Sequence, residues 1–378
     1  MNILGIMTGT SLDGMDYALV NFQEQVGKPT FSIIATHFFE YSEALKNKIR
    51  EIISERLPIN EFSQFNFYLS YLLNDKYRQF IELYSINPNS IDCISMHGQT
   101  LGHNPYNSPF LDKQISSTLQ AGNISTLAKL TGKPVVGDFR SGDIALGGQG
   151  APLVTIFDYD FFHNNNEERI LLNIGGISNI TYLPKNSDIS QILAFDCGPG
   201  NILIDEIASN YFGIAFDKDG KIARRGSINQ QLLDILLNDD FIDKLPPKST
   251  GREKYNKHYI ESALALIPQQ IEKEDILRTF TEFTALAIAK NIIQFANPKA
   301  TIIASGGGRN NMFLMELLHN KFPNAQFNNI EDYGIPSDFK EAIAFGYLGY
   351  LRLNNKPGNA PNSTGASRPT ILGTIALP

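Results

Sequence analysis

The 378-residue sequence has two cysteines, Cys93 and Cys197, far apart and in no CxxC or His/Cys cluster, so neither a zinc site nor a disulfide framework is indicated. Reduced thiols are the simple reading. It has no basic run: 32 Lys and Arg stand against 39 Asp and Glu, for a net charge of -7. No nucleic-acid or anionic-membrane partner is expected from such a balance. Long hydrophobic runs are missing as well. No stretch approaches the roughly 20 apolar residues of a membrane span, and the short apolar start has no basic segment before it, so it does not read as a signal peptide. The expectation is a cytoplasmic protein that acts on small molecules. What is present, 42% hydrophobic and 19% charged residues, describes a globular chain, and the length favours two domains.

The opening carries the densest chemistry. Residues 2–7 and 17–22 read as strands around Gly9, Thr10, Ser11, Leu12, Asp13, Gly14, Met15 and Asp16. Glycines let backbone N–H groups turn toward one point, Thr10 and Ser11 add hydroxyls, and Asp13 can face the magnesium that accompanies a nucleotide. The loop lacks the Gly-Lys-Ser/Thr ending of a P-loop, and a strand follows it where the dinucleotide fingerprint needs a helix. Both motifs are thereby rejected. A bare polar hairpin is the plain alternative. Residues 170–183 repeat the pattern of strand, glycine turn (Gly175, Gly176) and strand, which suggests a duplicated phosphate-gripping unit.

Between and after the hairpins the pattern is α/β. A third strand is expected at 31–37, helices at 42–54 and 59–84, a strand at 92–96 that delivers His97, and a helix at 120–130 capped by Gly132. A strand at 134–137 then feeds a long glycine-rich loop holding Arg140 and Gln149, and loops of that length are commonly functional. Arg140 suits a substrate carboxylate. Asp196 closes the strand 193–195 just before a helix starting at 202, whose N-terminus is expected to offer free donors to an anion. The loop 246–253 has two cations, Lys248 and Arg252, that could reach a ligand or stay in solvent. Gly306 and Gly307 lie between a strand at 300–304 and a helix at 312–321, a setting for adenosine. A last helix begins at Glu341, and 354–369 is a Gly/Pro/Ser-rich tail.

Taken together, the opening loop, His97-Gly98-Gln99-Thr100, Asp138-Phe139-Arg140, residues 147–153, Asn173-Ile174-Gly175-Gly176, Phe195-Asp196-Cys197-Gly198-Pro199, residues 248–253, residues 305–308 and Glu341-Ala342 keep order over nearly the whole chain. In this the sequence resembles the anhydro-N-acetylmuramic acid kinase family, within the acetate kinase, sugar kinase, heat-shock chaperone and actin group. Thr8 stands where that family commonly has Ser, and Cys197 where it has Thr. The resemblance implies a two-domain actin-like ATPase, a duplicated ribonuclease H-like fold with a central cleft, divided as 1–135 plus 341–378 and 136–340. It implies ATP and Mg2+ as cofactors and 1,6-anhydro-N-acetylmuramic acid as substrate, in peptidoglycan recycling. Implied roles are Asp196 as catalytic base, the 9–16 loop, Gly175, Gly176, Gly306 and Gly307 at the nucleotide, and Asp13 at the metal. His97, Arg140, Gln149 and Glu341 fall to the sugar. A homodimer is left open. The rivals are a nucleotide switch without sugar chemistry and a two-carboxylate glycosidase using Asp196 and Glu341.

Overall fold

The computed structural model describes residues 1–9, 12–25, 27–54 and 58–378. The chain forms two units, Met1–Phe161 with Asp338–Pro378, and Phe162–Ser337.

In the first unit, β1 (Asn2–Thr8), β2 (Gly14–Gln25) and β3 (Lys28–Glu40) make an antiparallel meander. Helix α1 (Glu43–Ile53) is capped by Ser42, whose hydroxyl accepts the Leu45 N–H, and α2 (Ile59–Leu83) follows. Strand β4 (Cys93–Met96) joins β1 in parallel. A two-stranded ribbon, β5 (Gln99–Phe110) and β6 (Lys113–Ala121), comes next, then α3 (Ile124–Thr131), β7 (Val135–Gly137) parallel to β4, α4 (Ser141–Ile144) and α5 (Thr155–Phe162). The helix expected from residue 120 therefore starts at Ile124, after an Asn123 cap, and ends as expected at Gly132 in the left-handed conformation. The ribbon is absent from the sequence reading.

The second unit repeats the plan. Strands β8 (Arg169–Ile174), β9 (Ile177–Leu183) and β10 (Leu193–Pro199) form the meander, and α6 (Ile202–Phe212), α7 (Gln230–Leu237), α8 (Lys257–Ala265) and α9 (Lys273–Phe295) follow. Then β11 (Thr301–Ser305), α10 (Met312–Lys321) and β12 (Phe327–Asn329) complete the sheet. The chain returns to the first unit with α11 (Lys340–Leu353), α12 (Pro361–Thr364) and β13 (Thr374–Ala376), which pairs with β7.

The two sheets run β13-β7-β4-β1-β2-β3 and β10-β9-β8-β11-β12. Without β13 each is a meander extended by two parallel strands beside its first strand. This is the ribonuclease H-like order written twice, which bears out the duplication inferred from the two glycine hairpins. Each copy has its own apolar core. The first crossing between units falls at Phe161, later than the expected residue 135, because β7 pairs with β4 and the loop after it is tied to residues 359–367.

Candidate active site

In the first unit the β1–β2 turn is held from beneath. The Gln99 side chain, fully buried, donates to the Gly9 carbonyl at 3.2 Å and accepts from the Tyr41 hydroxyl at 3.2 Å, while the Tyr41 amide donates to the Asp13 carbonyl at 2.9 Å. Thr10 and Ser11 lie outside the described residues. Leu12 and Met15 send their side chains into the core, so of the expected nucleotide contacts these two can offer only backbone. Asp13 is exposed and Asp16 half-buried. Burial, then Glu341, Asp338 and Asp13, push the Asp16 carboxyl up to about 7. A carboxyl raised by its acidic neighbours marks a place short of positive charge. Among the described residues no three His, Cys, Asp or Glu side chains converge as a metal cage. Magnesium needs none, since it takes one or two carboxylates and completes its shell with phosphates and water.

Helix α11 reaches this turn because glycine permits it. A Cβ on Gly5 would lie 1.9 Å from the Ala342 carbonyl oxygen, so helix and strand backbones touch, and the Ser95 hydroxyl donates to the Phe345 carbonyl at 2.5 Å. Glu341 in the first turn of α11 keeps access to solvent, yet the surrounding protein raises its carboxyl, opposed by Lys340 and Arg140. Lys340 itself is buried against Asp158 at 2.8 Å.

Arg140 follows β7 and is half-buried. Its Nε donates to His97 Nε2 at 3.0 Å and one Nη1 hydrogen to the Gly150 carbonyl at 2.7 Å. Nη2 has no acceptor among the described residues. Burial lowers the guanidinium to about 10, still charged at neutral pH. Accepting from Arg140 requires His97 to be neutral with its proton on Nδ1, and burial together with the Arg140 charge holds the imidazole well below its usual range. His97 thus supports Arg140 and has no acceptor left, while its Nδ1–H, without a partner among the described residues, remains a donor. Gln149, half-buried, donates its backbone N–H to the Thr364 carbonyl at 2.7 Å.

In the second unit Asp196 sits at an irregularity in β10, where register with β9 shifts between Asp196 and Gly198. Such bulges re-aim side chains. The loop 248–250 brackets it: the Asp196 amide donates to the Lys248 carbonyl at 3.1 Å, and the Thr250 amide donates to Asp196 Oδ2 at 2.8 Å. Burial pushes the carboxyl up to about 7, with Glu253 adding to the rise and the Thr250 amide and Lys248 opposing it. Lys248 does not reach a ligand. It is buried, with Nζ donating to the Phe241 and Ile242 carbonyls at 3.2 and 2.8 Å and lying over the rings of Phe195, Phe241 and Phe295. From below, α9 braces the following turn, with Thr284 donating to the Gly200 carbonyl and Asn291 to the Cys197 carbonyl, each at 3.1 Å.

The expectation for α6 is narrowed. The amides of Gly200, Asn201 and Ile202 donate to the Gly176, Gly175 and Gly176 carbonyls at 2.8, 2.8 and 3.1 Å, so they lock the second glycine hairpin in place, and the donors left at the start of α6 are the amides of Leu203 and Ile204. The Gly306–Gly308 turn packs on the end of β8, where a Cβ on Gly308 would lie 2.3 Å from Ile174. Gly307 is exposed, and a Cβ there would meet only Asn201 Nδ2, at an ordinary 3.9 Å. Gln99, Thr250 and Asp338 were not expected as site residues, and Lys248, expected at a ligand or in solvent, is at neither. Gln99 and Thr250 sat inside motifs already singled out; Asp338 carried no signal.

Copying one sheet and placing a glycine turn after its first strand in each copy is the plan of the actin-like ATPases, and a near-neutral carboxylate beside one turn suits a phosphotransferase of that class. The family model described as anhydro-N-acetylmuramic acid kinase matches residues 1–378. The chain belongs to that family. It is 36% identical over 382 residues to the anhydro-N-acetylmuramic acid kinase of Caldanaerobacter subterraneus subsp. tengcongensis, covering 99% of this chain and 96% of that one. It is 37% identical to the Salinibacter ruber protein of the same name, covering 100% and 96%. Neither the switch nor the glycosidase reading is favoured by these relatives.

Proposed function

We propose that this protein opens the 1,6-anhydro ring of 1,6-anhydro-N-acetylmuramic acid with water and transfers the γ-phosphoryl group of ATP to the freed 6-oxygen, giving N-acetylmuramic acid 6-phosphate and ADP. The observation that carries the reading, beyond the family, is Asp196. One of its oxygens is fixed by the Thr250 amide, the other has no recorded protein donor among the described residues, and its affinity for a proton is matched to neutral pH. That is what a general base for water requires.

Asp196 takes a proton from the water as its oxygen bonds to the anomeric carbon. The bond from that carbon to the 6-oxygen breaks, the 6-oxygen attacks the γ-phosphorus, and the bridging oxygen leaves with ADP. Arg140 presents its remaining donors to the lactyl carboxylate, with His97 fixing its plane, and Gln149 and Glu341 complete the sugar contacts. The glycine turn at 9–16 and the Gly176 amide are offered to phosphates, the Gly175 amide being held by the Ile177 carbonyl at 3.2 Å, and Gly306–Gly307 gives a flat surface to adenosine. Asp13 and Asp16 would hold Mg2+, which supplies charge neutralisation on the phosphates when bound. Asp196 belongs to the second unit and Arg140, His97, Gln149 and Glu341 to the first.

Reaction in oxygen-18 water tests the bond that breaks. Label is expected on the anomeric hydroxyl and none in the ester oxygen. Label in the ester would overturn the proposed sequence of bonds.

A further inference from the structure

The tail at 354–369, rich in Gly, Pro and Ser, is built into the first unit. Its Asn359 and Thr364 are 2% and 0% exposed, and both reach Asp143, itself fully buried. Asn359 Nδ2 and Thr364 Oγ1 each donate to Asp143 Oδ1 at 2.7 Å, and the Gly150 amide donates to Oδ2 at 2.8 Å. The Asp143 carbonyl in turn accepts from the amides of Leu146 and Gly148 at 3.0 Å. Gly148 has to be glycine, because a Cβ there would stand 2.1 Å from Asp143 Oδ2.

Gly150 is where this knot meets the sugar clamp. Its amide is held by Asp143 and its carbonyl holds Arg140 Nη1 at 2.7 Å. The Thr364 carbonyl separately holds the Gln149 amide at 2.7 Å, and the Ser367 amide donates to the Leu146 carbonyl at 2.9 Å. An unbroken line of hydrogen bonds therefore runs from Asn359 and Thr364 through Asp143 and Gly150 to Arg140 and His97. A buried carboxylate needs its donors, and removing one leaves a group that must move or stay unsatisfied.

We infer that Asn359 and Thr364 are positioning residues for substrate specificity: through Asp143 they set the plane of the Arg140 guanidinium, and so the discrimination for a sugar that carries a carboxylate. The inference rests on Arg140 holding the lactyl carboxylate, and the test separates the two. Binding of 1,6-anhydro-N-acetylmuramic acid and of 1,6-anhydro-N-acetylglucosamine, which lacks the lactyl group, is measured calorimetrically on the full chain. Thr364→Val and Asn359→Ala should weaken the first sugar by about 10-fold to 100-fold, the scale of a clamp displaced by an ångström or less, and leave the second unchanged. Thr364→Ser should restore the wild-type preference. Asn359→Ala keeps the test open should Thr364→Val fail to fold. Equal weakening of both sugars, or none at an unchanged melting temperature, overturns the role of the tail. If Arg140→Gln also leaves the preference intact, the clamp assignment is what fails.

Discussion

Replacing Asp196 by Asn should remove the chemistry and stabilise the fold, with both effects governed by the same proton. Burial moves the carboxyl from 3.8 to about 7, a preference of about 4 kcal/mol for the neutral form in the folded state. The sign follows from linkage. Below the unfolded value both states are neutral and nothing is lost; as pH rises from about 4 to about 7 the unfolded chain sheds its proton first, and folded-state stability falls. Above about 7 the deficit is complete, with about 4 kcal/mol as its ceiling. Asn can still accept from the Thr250 amide but never ionises. Its melting temperature should therefore match wild type near pH 4, exceed it increasingly up to about pH 7, and keep a constant lead above that.

Activity moves the opposite way. Wild-type kcat should rise tenfold per pH unit below about 7 as Asp196 ionises and level off above it. The Asn variant should lose that limb and fall by roughly 100-fold to 10,000-fold while still binding the sugar. Scanning calorimetry from pH 4 to 8 and a coupled ADP assay supply both curves. A melting-temperature difference that stays flat with pH would refute the burial argument; normal turnover would move the base to another residue.

Asp13→Ala should collapse turnover at unchanged thermal stability, since the exposed carboxylate holds no core contact and the Tyr41 amide bonds only its backbone; full activity would place the metal elsewhere. Lys248→Met should move the acid limb of kcat to higher pH, because it deletes a charge that opposes protonation of Asp196; an unmoved limb would limit Lys248 to anchoring its loop. Gly5→Ala should destabilise by about 1–3 kcal/mol, the cost of overpacking, read as a lower denaturation midpoint. Its Cβ would meet the Ala342 carbonyl at 1.9 Å, so wild-type stability there would mean that α11 does not lie on β1.

The duplicated fold was legible because both hairpins state it locally: a short apolar strand, glycines, and a second strand, with a buried parallel strand later in each half. The β5–β6 ribbon was not. Its faces are mostly solvated, so no alternation of apolar and polar residues marks it; Pro105 and Pro109 read as breakers, and register shifts at Thr100/Gly102 and Asn104/Ser108 disturb its period. Ribbon strands without a buried face lack the signal that reveals strands. The Ile202 amide at the start of α6 is withheld from a ligand for a different reason. A helix N-terminus offers amides, but whether a ligand or another turn takes them is decided by contacts far away in sequence, here the Gly175 and Gly176 carbonyls.

The same distinction separates the site residues that could be read from those that could not. Arg140 and Glu341 stand where an element ends or begins, and Asp196 stands where the apolar run 193–195 gives way to a charge, although β10 does not stop there as expected and continues through a bulge to Pro199. Gln99, Asp143, Asn359 and Thr364 do their work by being buried. A buried polar residue is indistinguishable in sequence from a surface one until the fold encloses it, and the tail that supplies two of them has the composition of a linker. Enclosure changes what these groups are worth. An exposed Asn–Asp contact contributes little, whereas the fully buried Asp143 must keep all three donors to remain in place. That requirement makes the C-terminal residues part of how Arg140 is aimed, although none of them needs to touch the sugar.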